Sequence, residues 1–313
     1  MMSDTHIIEI TDLVKVYEGG FRALNHINLN IKRGDFFALL GPNGAGKSTT
    51  IGILTSLVNK TGGKIMIKGV DLDENPSLVK SYMGVVPQEI NINIFETCFQ
   101  VLVHQAAYYG IPRKEASYRA DKLLAQLQLS EKRNTQTRLL SGGMKRRLMI
   151  ARALIHEPEI LILDEPTAGV DIEIRQVMWQ FIREYNQRGG TIILTTHYLE
   201  EAENLCKNIA IIDHGEVIEQ TTIKSLLEKL AYETLVLQLV SPLQQAPQLH
   251  QFSCTLVEPD ILEVEILREQ TASDLFSALK EQQIEVMTVR TKESRLERLF
   301  INLIRHQEKE VAA

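Results

Sequence analysis

A chain of 313 residues, 44% hydrophobic and 24% charged, has the length and apolar content for one large domain and a smaller one. No apolar run approaches the roughly 18 residues of a membrane-spanning helix. The polar, acidic start up to Asp12 also lacks the basic-then-apolar order of a secretory signal. The net charge of −6 argues against a nucleic-acid platform, which needs clustered Lys and Arg. Cys98, Cys206 and Cys254 are far apart, without metal-ligand or redox-pair spacing, so reduced structural thiols in a cytoplasmic protein are expected.

From Asp4 to Leu230 apolar, β-rich runs alternate with amphipathic stretches, the rhythm of an α/β domain with a largely parallel sheet. The first clear strand, Asp35 to Leu40, runs into Gly41, Pro42, Asn43, Gly44, Ala45, Gly46, Lys47 and Ser48, and a helix is expected over Thr49 to Leu57. That is the phosphate-loop pattern in its strand-to-helix setting. The glycines let successive N–H groups point inward and the helix start adds its positive dipole end, which suits nucleotide phosphates. Lys47 would reach the β and γ phosphates, and Ser48 would offer a hydroxyl to Mg²⁺, a hard cation that prefers oxygen. The plainer reading, a glycine-rich turn with a stray lysine, does not explain the whole pattern.

Between Ile94 and Leu140, Ala, Gln, Leu and Lys dominate with Pro112 as a break, so a helical insertion is expected. Ser141, Gly142 and Gly143 then open a helix over Lys145 to Leu154. The basic run Lys145, Arg146 and Arg147 is expected to be a solvated face of that helix rather than a nucleic-acid contact. Glu159 to Leu163 is a short apolar strand that ends at Asp164 and Glu165, and open α/β sheets bind ligands where strands end. There Asp164 suits hydrated Mg²⁺ and Glu165 suits an attacking water. Thr191 to Thr195 is a second buried strand. After Leu230 come strand-like Thr234 to Val240, two further strand candidates, and helices near Ala272 to Glu281 and Ser294 to His306, which read as a small α+β domain.

Phosphate loops serve many functions, so the order of the remaining motifs decides the reading. Leu140, Ser141, Gly142, Gly143 and Met144, ahead of Asp164, resemble the signature motif of ABC ATPases, and the resemblance covers roughly Ile7 to Leu230. It implies a P-loop NTPase of ABC type over residues 4–230, with a helical subdomain over 94–140 and an accessory domain over 231–313. Gln88 corresponds to the glutamine that senses Mg²⁺ and water, and Asp171 lies in the loop that contacts a partner subunit. His197 matches the switch histidine, Tyr17 is placed to stack on adenine, and Thr49 extends the nucleotide-binding set past the loop. Taken singly, Gln88 is a loop amide, Asp171 a helix cap, His197 a satisfied core histidine and Tyr17 a half-buried strand residue. In family order around two strong motifs, the functional readings are preferred.

The resemblance implies a homodimer that sandwiches ATP and Mg²⁺. Lys47, Ser48, Gln88, Asp164, Glu165 and His197 would come from one chain, with Ser141, Gly142, Gly143 and Asp171 from the other. It further implies a separate integral membrane permease docked on the helical insertion, peripheral placement on the inner face of the cell membrane, and export as the direction. Neither nucleic-acid binding nor direct bilayer insertion is expected. The rival reading is a soluble ABC ATPase that acts in translation or DNA handling.

Overall fold

The first two strands, β1 (His6–Val16) and β2 (Arg22–Lys32), pair antiparallel, and along β2 buried Ile27, Leu29 and Ile31 alternate with exposed neighbours. That alternation belongs to a sheet covered on one face. The computed structural model describes residues 6–196, 198–228, 232–249, 251–267, 269–292, 296–297 and 299–300. Two units divide between Thr221 and Thr222.

In the first unit, β3 (Phe36–Leu40) is buried at all five positions and leads into α1 (Lys47–Leu54). The helix begins two residues earlier than expected, because Gly46 at φ 112° is its N-cap and Lys47 and Ser48 are themselves in the first turn. It also stops sooner. The Leu57 N–H bonds to the Gly52 carbonyl at 2.8 Å instead of continuing the i−4 ladder, and Leu57 stands 81% exposed. Short strands β4 (Gly62–Ile67) and β5 (Val70–Asp71) extend the antiparallel sheet to the order β2-β1-β4-β5. Helix α2 (Pro76–Ser81) then delivers the chain to β6 (Met83–Val86).

The helical insertion contains α3 (Cys98–Tyr108), started by a capping box between Thr97 and Gln100, and α4 (Arg113–Gln126), which begins directly after Pro112. Helix α5 (Gly142–Leu154) carries the Ser141 hydroxyl as its N-cap, accepting from the Met144 N–H at 3.3 Å. The chain continues through β7 (Ile160–Asp164), α6 (Ile172–Gln187), β8 (Thr191–Thr195), α7 (Leu199–Leu205), β9 (Asn208–Asp213) and β10 (Glu216–Thr222). Among the described residues a six-stranded sheet runs β10-β9-β3-β8-β7-β6, with parallel pairing from β9 through to β6. Ile160 to Leu163 and Thr191 to Thr195 are buried throughout, as strands covered on both faces must be. One apolar core joins the two sheets, with Ile8, Ile10 and Leu29 packed into the same cluster as Phe37, Leu39, Ile162 and Ile193.

The second unit holds α8 (Ile223–Leu227), β11 (Tyr232–Leu239), β12 (Ser253–Glu258), β13 (Ile261–Leu267), α9 (Ala272–Glu281) and β14 (Val286–Thr291). The strands form an antiparallel sheet in the order β12-β13-β11-β14. Leu275 and Leu279 of α9 close its core over Leu237, Leu262 and Val264. Strand β14 had no clear sequence signal, since Met287 and Val289 of this edge strand are exposed. Most of the expected helix from Ser294 to His306 lies outside the described residues. Cys98 and Cys206 are buried and Cys254 is half-buried, all three as free thiols.

Candidate active site

Strand register brings the motifs into one row. Leu39 of β3 pairs with Thr195 of β8, Thr195 with Asp164 of β7, and Leu163 of β7 with Val86 of β6. Parallel strands end together, so the phosphate loop, Thr195, Asp164 and Gln88 emerge at the same edge of the sheet.

The loop 41–48 is shaped by backbone crowding. A Cβ on Gly41 would lie 2.1 Å from the Ile212 carbonyl oxygen, and one on Gly46 would lie 2.7 Å from a Leu24 methyl at a φ of 112°. Only glycine fits either place. Lys47 is buried, and its Nζ donates to the Gly41 carbonyl at 2.7 Å and the Pro42 carbonyl at 2.9 Å. Burial pulls its ammonium pKa down, and the Glu165 and Asp164 carboxylates oppose that shift. Asn43, Gly44 and Ser48 are exposed, whereas Ala45 is buried behind them. The Tyr17 hydroxyl lies 3.3 Å from the Thr49 hydroxyl, which puts the aromatic ring beside the start of α1.

Gln88 and Glu165 meet directly, with Nε2 of the amide donating to Oε2 of the carboxylate at 2.8 Å. Glu165 is held at φ 47°, a left-handed conformation that costs a non-glycine residue on the order of 1–3 kcal/mol. Its backbone N–H donates to the Thr195 carbonyl at 3.0 Å, which keeps it there. The Thr195 hydroxyl donates to Asp164 Oδ1. The two carboxylates therefore face different partners: Asp164 turns to β8, and Glu165 turns to the glutamine.

Ser141, Gly142 and Asp171 are exposed, and Gly143 is half-buried. No hydrogen bond or ion pair among the described residues joins these four to the phosphate loop. Asp171 is the N-cap residue of α6, the position of the plainer reading, though its side chain makes no capping hydrogen bond. His197 lies outside the described residues.

Two features escaped the sequence. The run Lys145, Arg146 and Arg147 is not a solvated face: Arg146 is 4% and Arg147 7% exposed. Arg146 donates to the Pro87 and Gln88 carbonyls at 2.8 Å each, and Arg147 to the Leu127 carbonyl at 2.9 Å, just past the end of α4. Both guanidinium groups satisfy backbone oxygens that would otherwise be orphaned. Glu201, 1% exposed, accepts from the Thr167 hydroxyl, from Trp179 Nε1 at 3.2 Å and from the Thr196 hydroxyl at 2.7 Å. It ties the segment after Glu165 to the end of β8. Glu201 sits beside Glu200 in a helix that reads as charged surface, so only the fold reveals it.

The ABC transporter family model matches residues 24–168. The linearmycin resistance ATP-binding protein LnrL of Bacillus subtilis (strain 168) is 35% identical over 306 residues, covering 95% of this chain and 98% of its own. The daunorubicin/doxorubicin resistance ATP-binding protein DrrA of Streptomyces peucetius is 34% identical, covering 96% of this chain and 93% of its own. Among solved structures, a dimeric, post-hydrolysis form of the ATP-binding cassette MJ0796 bound to ADP and Pi superposes with a TM-score of 0.64. It is 28% identical and covers 69% of this chain and 98% of that one.

Proposed function

The chain belongs to the family of ABC transporter ATP-binding subunits and is an ATPase of that type; on that premise we propose that it powers export through a separate membrane permease. The relatives aligned over nearly their whole lengths carry resistance to linearmycin and to daunorubicin/doxorubicin in their names, which supports outward transport. The same near-complete alignment removes the support for a soluble translation or DNA-handling ATPase. No helix among the described residues is long and apolar enough to cross a membrane, in keeping with a permease on another chain.

One observation carries the catalytic reading: Gln88, Glu165, Asp164 and buried Lys47 converge at the carboxyl edge of the parallel sheet. Lys47 and the N–H groups of 41–48 hold the phosphates of ATP. Glu165, oriented by Gln88 and by its own constrained backbone, accepts a proton from the attacking water. Mg²⁺ suits the donors present, since the Ser48 hydroxyl, the Asp164 carboxylate and the Gln88 amide oxygen are all hard oxygen ligands. When bound, the ion would neutralise phosphate charge. The chain itself supplies no cluster of three His, Cys, Asp or Glu ligands among the described residues, so phosphates and water would complete the shell.

Exposed Ser141 and Gly142, at the dipole end of α5, suit the γ-phosphate held by a second copy, with Asp171 beside that contact. His197 is assigned to the γ-phosphate by its motif. The subunit then works as a homodimer on the inner face of the membrane, docked through the helical insertion, and residues 231–313 act as an accessory domain.

The test is Glu165→Gln. Turnover should fall by on the order of 10² to 10⁴ while ATP binding persists, and the protein should shift to dimer on size-exclusion chromatography with ATP. Hydrolysis at the wild-type rate would overturn the assignment.

A further inference from the structure

The loop 87–91, which carries Gln88, has no helix or strand of its own, yet it is fastened to α5 at both ends. Arg146 spans two successive carbonyls, Nη1 to Pro87 and Nη2 to Gln88, at 2.8 Å each. Farther along the same helix, Arg152 donates to the Asn91 carbonyl at 2.7 Å and to its side-chain oxygen at 2.6 Å. A guanidinium fork across neighbouring carbonyls fixes both the distance and the direction of the peptide between them, which a single point charge does not.

The Arg146 site is buried and lies within reach of the catalytic carboxylates. Burial lowers the pKa of its guanidinium, and the Asp164 and Glu165 charges raise it again. Removing the guanidinium would leave two loop carbonyls without it and the Gln88 peptide free to turn. The Gln88 side chain, one residue's length from that peptide, meets Glu165. The first turn of α5 begins at Ser141, on the exposed surface.

We propose that Arg146 is a positioning residue for hydrolysis, acting through the backbone of Gln88 to hold loop 87–91 and α5 as one body. The inference rests on the proposed ATPase site and assigns it a further part. Its consequence is mechanical. The loop that aims Gln88 at the chain's own Glu165 cannot shift without carrying the Ser141 end of α5, the part offered to the other subunit's nucleotide.

The experiment uses the full chain carrying Arg146→Met, Arg146→Lys and Gln88→Ala singly, and each Arg146 variant combined with Gln88→Ala. Steady-state hydrolysis and binding of a fluorescent ATP analogue are measured on all of them. Arg146→Met should lower kcat by about tenfold or more while Kd stays within about threefold, because misplacement of a catalytic group costs rate before affinity. Arg146→Lys should recover only part of the loss, since it keeps charge without the fork. Added to Gln88→Ala, either change should lower kcat by no more than about twofold further, because the group it acts through is already gone.

Three outcomes overturn the inference: a kcat for Arg146→Met within about twofold of wild type, a loss of affinity as large as the loss of kcat, or fully multiplicative losses in the double variants. The last two mark a plain fold staple. If Arg146→Met does not fold, Arg146→Lys and its pairing with Gln88→Ala decide the same question. Glu165→Gln, run alongside, separates the two levels: its inactivity together with normal turnover of Arg146→Met overturns this inference alone, whereas wild-type hydrolysis by Glu165→Gln removes the site and this inference with it.

Discussion

The phosphate loop and the signature segment are both glycine-rich starts of helices, but the chain surrounds one and leaves the other open. At Gly41 even a methyl group would strike the Ile212 backbone, and Lys47 is buried against two carbonyls of its own loop. Among the described residues a Cβ at Gly142 would meet nothing within 4 Å, and Ser141 stands exposed with its hydroxyl capping α5. The same local chemistry, a glycine-rich turn and a helix dipole, is thus packed in at Gly41, Gly46 and Lys47 of one segment, whereas Ser141 and Gly142 of the other form a surface and Gly143 alone packs, against Ile174. Anions need several donors to replace their hydration, so the open half makes physical sense as a contribution to a site on another molecule.

The strongest way to break that contrast is Lys47→Ala. It removes the buried charge proposed to face the phosphates, and ATP affinity measured by calorimetry should fall on the order of 100-fold, as expected when charge-assisted hydrogen bonds to an anion are lost. Unchanged affinity would mean that the closed loop is not the binding wall.

Ser141→Arg sharpens the comparison from the other side. Bulk at an exposed helix start should leave ATP affinity of the monomer within about threefold, yet lower turnover by about tenfold or more and abolish the ATP-driven dimer of Glu165→Gln. Equal loss of affinity and turnover would place Ser141 in the chain's own pocket and dissolve the distinction.

Glu201→Gln probes the scaffold behind both regions, where the segment after Glu165 is tied to the end of β8. The carboxylate accepts from three donors, and an amide cannot accept at both ends, so either the Thr167 or the Thr196 hydroxyl must give up its donated, charge-assisted bond and at best accept a neutral one. Stability to denaturant should drop by about 1–3 kcal/mol. Turnover should fall only a few-fold, by roughly threefold to tenfold, since the catalytic groups remain. No change in either measurement would show that the segment after Glu165 does not depend on the end of β8.

Much of this was legible beforehand. The glycine spacing of 41–48, the apolar run ending in Asp164 and Glu165, and the capped start at Ser141 are local patterns, and local sterics, strand propensity and helix capping enforce them wherever they occur. Helix α9 follows its sequence pattern residue for residue, because the Thr271 capping box and the apolar stripe of Leu275 and Leu279 are contained in the helix itself. Helix α1 starts two residues before the expected Thr49, since the lysine and serine of the loop are already helical.

What the sequence could not show is where long-range neighbours lie. Arg146 and Arg147 look like solvent-facing charge because helices usually put such side chains outward. Their burial is decided by loop carbonyls 59 and 20 residues away, which need donors when the insertion folds over α5. Glu201 is likewise indistinguishable from Glu200 until β8 and the segment after Glu165 are packed beside it. Strand propensity, helix capping and short motifs are properties of neighbours in the chain, and the amino-acid order alone determined them here. Satisfying buried polar groups is a property of neighbours in space, and only the tertiary structure decided which charged side chains would do it.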